Sequence, residues 1–268
     1  MLLKGRTVKN IHSKQIKVGK LNIRYFTAGN GEPLVVIHGG GGGAEGWLEN
    51  VSELSERYRI YAPDLPGFGD SQPMDGDHGI SEFVQFVEDF THSLGLKRFH
   101  LIGHSVGGGI ALRYALKFPY KVGKLVLVSS MCLGKEIALW VRVLSSSVFF
   151  RSLGVAAAAI LKAVKWLLNL VYAPFKFINP LPRAKVDLGR GMTTLREQTT
   201  VLANRLSELM MPTLLVWGAN DSIVPVSQAY AAAELIPDCQ LHVFEGCGHS
   251  VYREKVEEFS HLLTEFLS

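Results

Sequence analysis

A chain of 268 residues, 47% hydrophobic and 19% charged, has the length for one large α/β domain, or for such a domain with an insertion. Its formal charge of +4 is too mild to argue for a nucleic-acid partner. Three cysteines, Cys132, Cys239 and Cys247, form no C-x-x-C pair and leave one thiol over, which predicts a reduced, cytoplasmic setting and no disulfide framework.

In chain order, "MLLKGRTVKN" lacks the apolar core and cleavage site of a signal peptide. "KQIKVGKLNIRYFTAGNGEP" reads as two strands joined at Gly19 and closed by a Gly-Asn-Gly turn. "LVVIHGG", "YRIYAPD", "RFHLIGHS", "KLVLVSS", "TLLVWGA" and "LHVFEG" follow as short strands. Most are continuously apolar, the pattern of strands buried on both faces of a mostly parallel sheet. Between them, "SEFVQFVEDFTHSLGL" sets Phe83, Phe86, Val87, Phe90 and Leu94 on one helical face, with Ser81 as the expected N-cap. "GGGIALRYALKFP" reads as a helix stopped by Pro119. The alternation predicts an α/β fold with helices on both faces.

The rhythm breaks after "VSSMCLG". Residues 133–204 are apolar, basic and helical in pattern, broken at Pro174, Pro180 and Pro182. They are expected to form a helical insertion over the C-terminal edge of the sheet, where ligands of open α/β folds bind. Residues 1–132 and 205–268 then make the core. Between Leu133 and Arg190 nine basic residues meet only Glu136 and Asp187. That excess suits an anionic substrate, a solvated face, or a membrane-surface dock. Lys162 and Lys165 interrupt "SLGVAAAAILKAVKWLLNLVYAPF", so it is not read as a spanning helix.

The strongest chemical signal is "LIGHSVGGGIAL", which holds Gly103-His104-Ser105-Val106-Gly107 between a predicted strand and a predicted helix. In G-x-S-x-G the glycines relieve crowding in a turn so tight that the serine hydroxyl projects from the top of the sheet. A serine nucleophile needs a base, and the base needs an acid to orient it. In a strand–turn–helix setting of this kind the order is serine, acid, histidine, each just past a strand. Asp221 in "LLVWGANDSIVP" and His249 in "HVFEGCGHSVY" stand in that order. His38, His104, His242 and His261 fall at strand ends, within a strand or in the last helix, and read as structural.

The glycine run of "LVVIHGGGGGAEGW" has two readings. Gly41, Gly43 and Gly46, with Asp64 downstream, fit a dinucleotide fingerprint. That reading leaves Ser105, Asp221 and His249 unexplained. An oxyanion hole explains all of them, with one N–H from Gly40 (Gly41 as second choice) and one from Val106. Asp64 then reads as a loop anchor. No His/Cys cluster has zinc spacing, and the loop lacks the Lys-Ser/Thr of a phosphate-binding P-loop.

Taken together, "VIHGGGGGAEGW", "APDLPGFGDSQP", "GHSVGG", "LLVWGANDSIVP" and "EGCGHSVYREKVEEF" resemble the α/β-hydrolase superfamily, over nearly the whole chain outside the insertion. The resemblance implies an eight-stranded, mostly parallel sheet, a helical cap after strand six, a Ser105–His249–Asp221 triad and no cofactor. The glycine loop followed by Gly-Trp is similar to the meta-cleavage product hydrolases, which cleave a C–C bond in vinylogous β-keto acids. Those enzymes carry Asn before the nucleophile and Trp after the catalytic His, where this chain has His104 and Ser250. Their cap supplies an arginine for the substrate carboxylate, and Arg190 in "DLGRGM" is the candidate here. Aromatic residues of the insertion, Trp166 among them, suggest an apolar substrate pocket. The expected activity is hydrolysis of carboxylic esters with small to medium apolar acyl or aromatic groups. C–C hydrolysis is the alternative, and a non-catalytic ligand receptor on the same fold is the competing class.

Overall fold

The structure, a computed structural model, describes residues 2–3, 6–7, 11–75, 78–138, 198 and 200–268. Eight strands form one sheet: β1 (His12–Val18), β2 (Leu21–Ala28), β3 (Glu32–Ile37), β4 (Tyr58–Pro63), β5 (Phe99–His104), β6 (Val122–Val128), β7 (Thr213–Gly218) and β8 (Cys239–Phe244). Their order across the sheet is β1-β2-β4-β3-β5-β6-β7-β8. β1, β2 and β4 pair antiparallel, and every pairing from β4–β3 to β7–β8 is parallel. Lys14 and Lys17 stand exposed on the edge strand β1, a charge pattern that discourages further strand pairing.

The helices are α1 (Leu48–Leu54), α2 (Ile80–Ser93), α3 (Val106–Lys117), α4 (Ser227–Ala233), α5 (Val251–Glu254) and α6 (Val256–Leu267). Two apolar layers flank the sheet. Val35, Ile37, Leu101, Leu215 and Trp217 face α2, α3 and α4. Their sequence neighbours Leu34, Val36, Ile102, Leu214 and Val216 face Trp47, α1 and α6. Side chains alternate along each strand, yet both faces are dry, which is why these strands are apolar without a break. Phe83, Phe90 and Phe259 are fully buried helix anchors, each contributing about 2–3 kcal/mol by removal from water.

α2 corrects one expectation. It begins at Ile80, and its N-cap is Gly79 rather than Ser81. The Glu82 carboxylate accepts the Gly79 N–H at 2.9 Å, so the cap is supplied from inside the first turn.

Most of the expected insertion lies outside the described residues. Its two ends meet just past the end of β6: Leu202 N–H donates to Cys132 O at 2.8 Å, and Gln198 N–H to Lys135 O at 3.0 Å. The buried Gln198 side chain accepts from Cys132 N–H and donates to Glu136 O. Ala138 N–H reaches Ile223 O at 2.9 Å, joining this stem to the loop after β7.

Candidate active site

Three parallel strands deliver the candidate residues to one edge of the sheet. Ser105 is the single residue between β5 and α3, Asp221 follows β7, and His249 stands between β8 and α5. The chain reverses on Ser105 at φ +55° and ψ −118°, a conformation that costs a non-glycine residue about 1–3 kcal/mol. The fold holds it there from both sides. Ser105 N–H donates to Val128 O at 2.9 Å, and Ser105 O accepts from Met131 N–H at 3.0 Å. The turn also needs backbone against backbone: a Cβ on Gly107 would lie 2.4 Å from His38 O. Val106 opens α3, so its N–H is among the helix donors that have no intrahelical acceptor.

Asp221 and His249 form a bonded pair. Asp221 Oδ2 accepts from His249 Nδ1 at 2.8 Å, with the carboxylate side chain 0% exposed. The other oxygen accepts from Ile223 N–H at 2.8 Å and Val224 N–H at 3.0 Å. Burial pushes this carboxyl up, but the bond and charge of His249, with the Val224 and Ile223 N–H groups, outweigh it and hold it below its ordinary value. With Nδ1–H committed to a carboxylate, the basic nitrogen of His249 is Nε2. The Trp217 indole N–H donates to Val224 O at 3.0 Å and steadies the loop of Asp221.

The glycine run is shaped by two side chains. His38 Nε2 accepts from Leu65 N–H at 2.9 Å, so Nδ1 carries the proton and donates to Gly39 O at 2.7 Å. Burial is the largest influence on this ring and keeps it neutral. In a trans peptide the C=O and the following N–H point opposite ways, so clamping Gly39 O turns Gly40 N–H away from His38. Asp64 is the second holder: Oδ1 accepts from Ala44 N–H at 2.8 Å, and Oδ2 pairs with Arg24 Nε at 2.6 Å. Two close approaches fall in the run: a Cβ on Gly39 would lie 2.7 Å from His104 Nδ1 and 3.1 Å from Ser105 Cβ, and one on Gly43 would lie 2.6 Å from Asp64 Oδ1. Gly41 and Gly42 have open space around them.

The remaining sequence candidates divide. His242 packs on Phe244 in β8, and His261 sits exposed beside Glu265 on α6. His104 does more than pack, since its Nε2 lies 2.9 Å from the His249 main-chain carbonyl. Trp166 and Arg190 lie outside the described residues. Ser129 (φ +45°) and Cys132 (φ +74°), just past β6, are strained non-glycine positions that no motif marked. An open cleft lined by Glu32, Arg98, His100 and Lys124 sits at the opposite ends of β3, β5 and β6, a full strand length from Ser105. Among the described residues no group of three or more His, Cys, Asp or Glu side chains is arranged to hold a metal, and no helix is long and apolar enough to cross a membrane.

Over 100% of its length the chain is 29% identical to a 2-hydroxy-6-oxo-6-phenylhexa-2,4-dienoate hydrolase of Burkholderia cepacia, of which it covers 98%. Among solved structures it is similar to a membrane phospholipase A described as a bacterial virulence factor, with 26% identity, a TM-score of 0.73, and coverage of 97% of this chain and 86% of the other. It is also similar to a meta-cleavage product hydrolase of Pseudomonas fluorescens IP01, with 25% identity, a TM-score of 0.68, and coverage of 95% and 97%. The alpha/beta hydrolase fold model matches residues 32–256, from the first residue of β3 to the first of α6, and the chain belongs to that family.

Proposed function

We propose that the protein is a serine hydrolase of carboxylic esters, with Ser105 as nucleophile, His249 as general base and acid, and Asp221 as the group that orients His249. The observation that carries this reading is the buried Asp221–His249 bond at 2.8 Å at the same sheet edge as a serine strained to φ +55° just past β5. His249 Nε2 takes the Ser105 proton as the oxygen attacks the ester carbonyl. Gly40 N–H and Val106 N–H receive the developing oxyanion, with Gly41 as the alternative to Gly40. His249 then protonates the leaving alcohol, and a water activated by the same nitrogen releases the acid. Each oxyanion donor is worth roughly 3 kcal/mol of barrier. The clamp of His38 on Gly39 O supports Gly40 as the first donor. Residues 133–204 form the helical cap in this reading. Trp166 lines an apolar pocket for a small to medium acyl or aromatic group, and Arg190 meets substrate charge.

The phospholipase likeness favours ester chemistry, as do His104 and Ser250 where the meta-cleavage enzymes have Asn and Trp. A second reading, C–C hydrolysis of a dienoate, is favoured by the full-length relative of that name. The test is kcat/KM on p-nitrophenyl butyrate and on a phenyl-substituted dienoate in parallel, with Ser105→Ala as blank. Ester preference with a loss of at least ~10⁴-fold in Ser105→Ala is the expected result. Preference for the dienoate transfers the assignment to the C–C reaction. Ser105→Ala activity within a few-fold of the parent rejects both.

A further inference from the structure

The residue before Ser105 makes more of this edge than the end of a strand requires. His104 closes β5 and is 6% exposed. A carbonyl only accepts, so the 2.9 Å contact with His249 O places the proton of His104 on Nε2. Nδ1 is then a bare, buried nitrogen with no hydrogen-bond partner, lying under the backbone of Gly39. Burial first, and the neighbouring His249 second, push protonation of this ring down to about 3, so it is neutral at any working pH. Its faces are also occupied. The ring centroid lies 4.8 Å from that of His249 and 4.9 Å from that of Tyr252. Tyr252 is stacked on Trp47 at 4.1 Å and 8°, and Trp47 ends the short turn that follows the glycine run. One imidazole thus touches the glycine turn, adjoins the nucleophile and holds the backbone of the base.

Resting on the serine-hydrolase reading, we propose that His104 is a positioning residue for the reaction. Its Nε2–H bond to the His249 carbonyl, with its ring between His249 and Tyr252, sets where the base stands relative to Ser105 and the Gly39–Gly40 turn. Asp221 fixes the orientation of the His249 ring, but it does not fix the backbone that carries the ring. The loop is tied firmly before His249, where Asn220 N–H donates to Cys247 O at 2.9 Å and Gly248 N–H to Glu254 Oε2 at 2.9 Å. His104 supplies the tie at His249 itself. Without it the peptide of His249 keeps only the long, exposed bond from Ser250 N–H to Glu254 Oε1 at 3.3 Å, and a displacement near 1 Å costs on the order of 10²-fold in rate. His104 acts through His249 rather than on substrate, so the loss belongs in kcat and not in KM.

Two variants separate the bond from the bulk. His104→Gln sets an amide N–H near the place of Nε2, and His104→Phe keeps a ring without the donor. On p-nitrophenyl butyrate, with active sites counted by a phosphonate burst, His104→Phe is expected to lose about 30- to 100-fold in kcat with KM within about twofold. His104→Gln is expected to stay within about fivefold of the parent. A Phe variant within about threefold of the parent in kcat overturns the proposal, and so does a Gln variant as slow as Phe. If the Phe variant does not fold, imidazole ¹⁵N–¹H spectra of the parent decide. An Nε2–H tautomer of His104 with slow exchange supports the tie, and an Nδ1–H tautomer or free exchange refutes it. A parent that turns over neither ester nor dienoate sinks the hydrolase reading. An active parent with indifferent His104 variants sinks only the positioning role.

Discussion

Asp221→Asn tests the acid with almost no change in shape, and the hydrogen bonds around it set the size of the effect. One carboxylate oxygen accepts from two backbone N–H groups, Ile223 and Val224, and the other from His249 Nδ1. An asparagine must choose which way to face. With its NH₂ toward Ile223 and Val224, one part-buried and one buried donor lose their acceptor, at about 1–3 kcal/mol each. With its oxygen there instead, the NH₂ meets His249 Nδ1 and forces that nitrogen to accept. The proton then sits on Nε2, where it blocks removal of a proton from Ser105. The second orientation is the cheaper, so the variant keeps its fold and loses its base. Wrong-tautomer variants of serine hydrolases fall ~10⁴-fold in kcat, about 5 kcal/mol at 1.36 kcal/mol per decade. The assay is kcat and KM on p-nitrophenyl butyrate beside a thermal melt, with the melt expected within a few degrees of the parent. Catalysis within about tenfold of the parent in a folded Asp221→Asn protein refutes the role assigned to Asp221.

Ser105→Gly removes both the proposed nucleophile and the strain of a side chain at φ +55°, so it should abolish turnover yet raise stability by about 1 kcal/mol. A melt unchanged or lower than that of Ser105→Ala contradicts the strain. Arg24→Leu leaves the fully buried Asp64 without its cation, and about 3–5 kcal/mol of stability, near 10 °C in the melt, should go with it; a shift below about 3 °C argues that Asp64 is held by its backbone bonds alone. The buried His104 sets an acid limit. Its folded value of about 3 lies below its ordinary 6.5, so the unfolded chain binds a proton that the fold refuses. This contribution is whole above pH 6.5 and fades as pH falls toward 3, at about 1.4 kcal/mol per unit. Urea melts at about pH 7 and pH 5 should lose about 2 kcal/mol less in His104→Gln than in the parent, and equal losses count against a buried neutral ring.

The inner parallel strands were legible because each repeats one simple fact: in β3, Leu34 and Val36 face one dry layer, and Val35 and Ile37 the other. The turn at Ser105 was legible because it needs small neighbours, and the loops of Asp221 and His249 because a strand pattern, in "TLLVWGA" and "LHVFEG", runs up to each. What sequence left open was tertiary. Five glycines in a row look alike, and only the packing of β5 against the loop singles out Gly39 as the one touching Ser105 and His104. The partner of His104 lies 145 positions away, so no local pattern reveals the bond. α1 and α4, of seven residues each, are too short for helical periodicity to declare them. Gly79 outdoes Ser81 as N-cap because Glu82 reaches back to it, a choice between neighbours that residue preference alone gets wrong.

The detour that leaves the core at Cys132 comes back to it at Leu202, where the two main chains share a hydrogen bond of 2.8 Å. A path that begins and ends at one point can be lengthened or rewritten at small entropic expense, because closure depends only on the logarithm of its length. The strands and loops that bear Ser105, Asp221 and His249 need not register such a change. Descent can therefore trade one inserted segment for another while the strands around it are inherited intact, and proteins that share this sheet are free to diverge at that point.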